Sequence, residues 1–344
     1  MTDRESLCRL GVVTAPRVGP MTARKLFHAS GAWEAVARDA ARGRGPASSR
    51  LRPGIGQARD RGEKIAAACQ RTRTRVLFRG DPGWPKDLAR VPDEPEVLFL
   101  RGDPTALEER GVAIVGAREC SPDGRGMAFD LGAGLASEGW SVVSGLARGI
   151  DGGAHEGALS GQGVTVAVLG CGPDVVYPRE HAALQDRIAD EGLLLSEFPP
   201  GTDPRPGHFP RRNRVLSALS EATVVVEGRM RSGALVTARH ALDQGREVFV
   251  VPGWPTAPLS DGPLSLLRQG ARPVRGAADL LEDLGGISGG LALDPEEVRA
   301  REALEGGATT PDALAEELGV DRAHAQDLLA RLELKGELPR ADCA

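Results

Sequence analysis

The sequence predicts an α/β protein built on a doubly wound, mostly parallel sheet, with a small helical region before it and a three-helix region after it. Three observations carry this. Strand-like runs rich in β-branched residues alternate with helically spaced segments through the middle of the chain. Glycine-rich turns follow several of those strands directly. The charge balance changes along the chain. Such alternation argues for right-handed βαβ units, a sheet covered on both faces, and a functional crevice at the carboxyl ends of the strands.

Residues 1–85 read as a helical region. Its two turn signals, Pro16-Arg-Val-Gly-Pro20 and Pro53-Gly-Ile-Gly56, each precede an amphipathic segment, residues 21–27 and 58–69. A glycine-rich turn between helices presents backbone N–H groups to a phosphate, as helix-hairpin-helix modules do, or is a plain helical turn. Residues 86–284 carry the sheet. Strands are expected at 112–115, 141–144, 164–169, 193–195, 223–226 and 247–251, with edge strands at 97–100 and 272–274. Helices are expected at 124–137, 151–159, 179–189, 211–219 and 232–244. Residues 285–294 form a Gly-rich linker opening with Gly285-Gly-Ile-Ser-Gly-Gly290. Residues 295–344 read as helices 295–304, 310–318 and 321–334 and a short extended tail, an arrangement resembling a winged helix, with Thr310-Pro311 as N-cap and first helical residue.

A chain of 344 residues with 41% apolar content buries a large core. Its five cysteines are scattered with no metal or disulfide spacing, so a reducing, cytoplasmic setting fits best. Neither a leader pattern nor a run of membrane-spanning length is evident, so no membrane partner is expected. Net charge is −5, but residues 1–90 hold 19 Lys and Arg against 8 Asp and Glu, residues 91–280 hold 18 against 25, and residues 281–344 hold 6 against 15. The basic front keeps a nucleic-acid role open for the helical region. The acidic C-terminal region has the wrong sign for phosphate contacts, and its last helix offers only Arg322 and Arg331.

The chemistry-bearing residues gather after the strands. Gly116-Ala117-Arg118 follows its strand directly and leads through Ser121 into a glycine-rich helix start. Arg118 stands where a dinucleotide fold needs its close-approach glycine, and no acidic ribose-binding residue ends the next strand, so no cofactor is expected. An arginine there holds an exposed phosphate bidentately beside a helix N-terminus, or it packs across the crevice. Gly145 and Arg148 repeat the design after the next strand; Asp151 is placed to cap the following helix, and His155, one turn on, reads as a hydrogen-bonded helix histidine.

His208-Phe209-Pro-Arg211-Arg212-Asn213-Arg214 is the densest cationic stretch of the acidic middle and opens a helix. Its arginines oppose the helix dipole by about 0.3–1 kcal/mol each when exposed, which an anion would relieve. Phe209 beside them is what an unstacked base meets on a single-strand platform. Alternatively Phe209 lies in the core, with Asn213 and Arg214 tied to neighbouring carbonyls. Ser232, Gly233 and Thr237, in the turn after Glu227, bind phosphate or cap and pack; the residues alone do not choose.

The blocks VAIVGAR, SGLARGIDGGAH, VAVLGCGPDVVYP, LLSEFPPG, FPRRNRVLSALS, VVVEGRMRSGALVTA and VFVVPG run in this order from Val112 to Gly253. Together they resemble the DNA-processing protein A (DprA/Smf) family. The resemblance implies an extended Rossmann-like fold that binds single-stranded DNA without catalysis. It also implies loading of the RecA recombinase onto strands held by single-strand-binding protein, in natural transformation. By motif position Arg118 and Phe209 with the Arg-Asn-Arg segment would form the DNA groove, with Arg205 and His208 in place of the basic residue many members carry before Phe-Pro. A homodimer interface would lie near Leu264, Leu266, Leu267 and Gln269. Two other classes compete: a nucleotide-metabolising enzyme of the phosphoribohydrolase kind, whose Pro-Gly-Gly-x-Gly-Thr loop is not matched by Glu227-Gly-Arg-Met-Arg-Ser-Gly-Ala, and a duplex-binding regulator acting through the C-terminal helices.

Overall fold

The computed structural model describes residues 3–91, 93–285, 295–306, 308 and 310–334. Two compact units divide at Leu280 and Leu281. The larger holds a nine-stranded sheet: β1 (Arg75–Phe78), β2 (Val97–Gly102), β3 (Gly111–Val115), β4 (Ser141–Ser144), β5 (Thr165–Leu169), β6 (Leu193–Ser196), β7 (Ala222–Val225), β8 (Glu247–Val250) and β9 (Arg272–Pro273). Their spatial order is β1-β2-β6-β5-β4-β3-β7-β8-β9. The pairs β1/β2 and β2/β6 are antiparallel and the rest parallel. Strands β3 to β7 are buried along their whole length, the continuous apolar reading of a sheet covered on both faces.

The helices before the sheet are α1 (Arg4–Val13), α2 (Pro20–Ser30), α3 (Trp33–Ala41), α4 (Arg52–Gly56) and α5 (Ala58–Arg71). Within and after the sheet come α6 (Pro122–Ser137), α7 (Ile150–Ser160), α8 (Ala182–Glu191), α9 (His208–Ala218), α10 (Gly233–Asp243), α11 (Asp261–Leu267) and α12 (Ala277–Asp283). Helix α6 packs on α7, and α9 on α10. A Cβ on Gly132 would come 2.3 Å from the Ala154 carbonyl oxygen and one on Gly157 2.0 Å from that of Phe129, so these glycines let α6 and α7 cross backbone to backbone.

Two sequence expectations differ from the fold. Strand β1 lies inside the stretch assigned to the helical region, and only four residues between arginine-rich flanks announced it. The second turn signal, Pro53 to Gly56, is itself the short helix α4, whereas the first does link α1 to α2. Part of the basic charge of this end is turned inward. Arg24 Nε donates to Glu96 Oε1 at 2.6 Å, Arg79 bonds Glu94, and Arg9 lies 4.5 Å over the Phe78 ring. Glu94 and Glu96 are buried, and the Arg24 pairs tie α2 to the sheet edge.

The smaller unit contains α13 (Pro295–Glu305), α14 (Pro311–Leu318) and α15 (Arg322–Leu334) around a core that includes Ala300, Leu304, Leu314 and Leu328. Thr310 caps α14, its side chain accepting from Ala313 N at 3.2 Å. The tail expected to complete a wing, and most of the expected linker, lie outside the described residues.

Candidate nucleic-acid interface

Chain order reverses at β3: β4, β5 and β6 are added on one side of it, and β7, β8 and β9 on the other. The carboxyl ends of strands around such a reversal form the crevice where α/β sheets bind ligands. Two turns meet there. A Cβ on Gly116 would lie 2.4 Å from the Ile150 side chain, and Gly149, at φ +76°, would press 2.3 Å from the Ala117 carbonyl oxygen with one. Ile150 N donates to that same oxygen at 3.2 Å, so the turns bearing Arg118 and Arg148 share backbone contact.

Arg118 is exposed, and its guanidinium carbon lies 5.5 Å from the Phe209 ring centroid. Phe209 enters from the first turn of α9 and rests on the end of β5, where a Cβ on Gly170 would come 2.8 Å from its ring. On Phe209 leans Tyr177, centroids 5.3 Å apart and planes 37° tilted. Arg118, Phe209, Tyr177 and Arg212 line both of two adjoining recesses, of about 600 and 540 Å³. Gly145, Arg148, Arg179, Glu180 and Asp203 complete the first. Gly116, Ala117, Arg205, Asn213, Ser232, Gly233 and Thr237 complete the second. The result is an open trough walled by arginines and two aromatic rings.

The arginines of α9 divide by depth. Arg212, 5% exposed, donates through Nη1 to the Val168 carbonyl and through Nε to Asn213 Oδ1 at 3.1 Å, directly beneath Gly145. Burial draws its pKa down to about 10, against the opposing pull of Asp151, which leaves it a cation at neutral pH. It forms a charged floor. Arg214, 4% exposed, is instead consumed: it reaches Glu197 at 2.6 and 2.9 Å, Asp93 Oδ1 at 2.7 Å and the Asp93 carbonyl at 2.9 Å. Its burial opposes the charge, yet these carboxylates raise its pKa. The placing of Arg214 in a DNA groove is therefore corrected to an internal clamp. Asn213 Nδ2 donates to Gly233 O at 3.3 Å, joining α9 to the start of α10. Exposed Arg211 sits 3.5 Å from Glu197, outside both recesses.

Other expected residues also make local contacts. The ring of His208 stacks on Phe198 at 4.0 Å and its Nδ1 donates to Gly170 O at 3.1 Å. Burial, followed by Arg205 and Arg211, pushes its pKa below the ordinary histidine value despite the Gly170 bond. Ser121 caps α6: its Oγ accepts from Gly124 N at 2.9 Å and donates to Glu227 Oε1 at 2.6 Å, while its N–H donates to Glu227 Oε2 at 2.8 Å. Ser232 caps α10, and Thr237 Oγ1 donates to Gly233 O at 3.2 Å. Arg148 is half exposed, 3.9 Å from Glu180. Asp151 does not cap α7, whose N-cap is Gly149; it accepts from Gly145 N and Ala147 N, at 3.2 and 3.3 Å, and so braces the Arg148 turn. Burial raises its pKa, with Arg212 opposing. His155 Nδ1 donates to Thr165 Oγ1 at 2.7 Å, which itself donates to Val142 O, and burial lowers its pKa to about 3.

Tyr177 and Arg179 were missed by the sequence reading, although Tyr177 is the sole tyrosine. Of the residues assigned to a dimer interface, half-buried Leu264 and exposed Gln269 border a shallow recess with Met230. Leu266 is buried in the core, which corrects its placing at an interface, whereas Leu267 is half-buried and packs partly against that core. Among the described residues no cluster of His, Cys, Asp and Glu is arranged to hold a metal, and no helix is long and apolar enough to cross a membrane.

Known proteins share this sheet and its motifs. A family model described as DNA recombination-mediator protein A matches residues 75–285. DNA processing protein DprA of Bacillus subtilis is 44% identical over 204 residues, 59% of this chain and 68% of that protein. The X-ray structure of DNA processing protein A from Streptococcus pneumoniae aligns with a TM-score of 0.62 at 37% identity, over 69% of this chain and 83% of that one. A structure of DNA processing protein A from Helicobacter pylori, described for its single-stranded DNA binding mode, aligns with a TM-score of 0.56 at 32% identity, over 62% of this chain and 95% of that one. The extended, Rossmann-like sheet with its helical N-terminal extension and the motif set together place this chain in the DNA recombination-mediator protein A family.

Proposed function

We propose that this protein is a non-catalytic, single-stranded DNA-binding recombination mediator whose trough takes the unpaired strand. In this reading it protects the strand and loads RecA onto DNA covered by single-strand-binding protein during DNA uptake, as a cytoplasmic homodimer. The observation that carries the DNA assignment is the open wall of Arg118, Phe209 and Tyr177 above the buried cation of Arg212. Guanidinium groups meet a continuous backbone and exposed rings accept bases without sequence preference. Arg148, Arg179 and Arg205 would follow the backbone on either side, while Gly116, Ala117, Gly145, Ser232 and Gly233 keep the floor low enough for a strand to approach. The single-stranded DNA binding described for the Helicobacter pylori relative supports this reading. The enzyme alternative is disfavoured by Glu227, whose two oxygens are both engaged by Ser121.

The test is oligothymidine binding across a salt titration. Arg118→Ala should reduce the slope of log K against log salt by about 0.7, one phosphate's share. Phe209→Ala should weaken binding by about 1–3 kcal/mol, one stacked base. Wild-type affinity in both variants would remove the trough assignment, and base release from nucleoside monophosphates would restore the enzyme.

A further inference from the structure

The carboxyl rim of the sheet continues past the trough. Strand β7 pairs with β3, and β8 with β7, both in parallel. Two strand spacings of about 4.8 Å therefore carry the rim from the Arg118 turn to the loop after β8. That loop bears Trp254, 82% exposed. Its backbone is pinned: Gly228 N donates to Leu259 O at 2.7 Å, Gly262 N to Gly228 O at 2.8 Å, and Ala257 N to Trp254 O at 2.9 Å. The first bond ties the loop, and the second the start of α11 that follows it, to the turn carrying Arg229 and Arg231, both exposed. The other tryptophans are spent on packing, Trp33 and Trp140 buried and Trp84 donating to Glu94 at 3.0 Å. An indole this exposed, on a loop held through its backbone, contributes little to the core.

We propose that Trp254 is a second stacking platform for the same strand, which crosses the end of β7 over Arg229 and Arg231 and lays a further base on the indole. The proposal rests on the single-stranded DNA reading of the trough. It follows from continuity of the rim and from the presence, on two hydrogen-bonded turns, of a large exposed ring and exposed guanidinium groups, the two elements of sequence-tolerant strand binding. The platform engages only strands long enough to leave the trough.

The experiment uses the full-length chain and oligothymidines of about 4 to 16 nucleotides, the range of single-strand site sizes. Since Trp254 is the one strongly exposed tryptophan, its emission reports the contact directly. Long oligothymidines should quench the wild-type emission, and the quench should vanish in Trp254→Ala. The same variant should bind the long oligomers about fivefold or more weakly, the loss of one stacked base, and the shortest as wild type does; Trp254→Phe should keep most of the affinity. Unchanged emission on binding together with unchanged affinity of Trp254→Ala overturns this platform and leaves the trough intact, whereas wild-type binding by Arg118→Ala overturns the trough itself. Emission that tracks protein concentration without DNA, with Trp254→Ala sedimenting as a smaller species, assigns the ring to a second copy of the chain and also overturns the proposal.

Discussion

Replacing Arg214 by methionine keeps an unbranched, shorter aliphatic stem and removes the charge that faces Glu197 and Asp93. Glu197 is only 6% exposed, so the variant buries a carboxylate whose nearest remaining cation is the exposed guanidinium of Arg211 at 3.5 Å. Removing one partner of a buried pair costs about 3–5 kcal/mol, and the half-exposed Asp93 contact adds at most about 1 kcal/mol. At about 2–4 °C per kcal/mol for a unit of this size, the melting transition of the larger unit should fall by roughly 6–24 °C. Calorimetry measures that fall. An oligothymidine salt titration, run where the variant remains folded, should return the wild-type slope, while Arg118→Ala should melt as wild type and lose slope. Adding Glu197→Gln to Arg214→Met should recover part of the stability by removing the stranded charge. The reasoning is refuted by an Arg214→Met protein that melts with the wild type and loses a phosphate's share of salt dependence.

Leu264→Arg should shift a homodimer toward monomer in sedimentation while leaving the melting transition unchanged, because Leu264 is half-buried at the edge of a recess and outside the core; an unchanged sedimentation coefficient sinks that interface. A chain ending at residue 285 should fold and bind oligothymidine as the full chain does, since the smaller unit has its own core; lost affinity would return the C-terminal helices to the site. His155, whose pKa is lowered by burial from 6.5 to about 3, refuses in the folded chain a proton that the unfolded chain accepts. Its contribution is complete above pH 6.5 and declines as pH falls toward 3, by about 2 kcal/mol at pH 5. Urea midpoints of wild type and His155→Asn at pH 7 and 5 check this; an equal loss in both refutes it.

The parallel core was legible because β3 to β8 are continuous apolar runs set off by glycine turns, and both signals are local. Strand β1 was not, since a four-residue run acquires meaning only by pairing with β2, a non-local fact. The site divided in the same way. Arg118 and Phe209 were visible as a guanidinium and a ring in the turns that end strands, but sequence spacing does not report depth. Arg212 and Arg214 differ by two positions, and α9 turns one under the trough and the other onto carboxylates from two distant segments, Asp93 and Glu197. Tyr177 was passed over because nothing in Val-Val-Tyr-Pro predicts that its ring will meet one 32 residues later.

Depth also decides how the trough's charge behaves. Arg118, Arg148 and Arg179 are exposed, so under the proposed function their attraction for a strand would be screened by salt and each would have to be ordered on binding. Arg212 is already fixed by the Val168 carbonyl and by Asn213, and it lies out of reach of solvent ions, so its field is present before a ligand arrives and weakens less with salt. Asp151 adjoins it and partly offsets its charge, while one carboxylate oxygen accepts from the Gly145 and Ala147 amides and holds the turn that covers the cation. A dinucleotide fold reserves the close-approach position for glycine so that a pyrophosphate can sit on bare backbone. Here Arg118 occupies that position and the fixed cation lies one layer lower, which leaves the surface open along the rim instead of closed around one ligand.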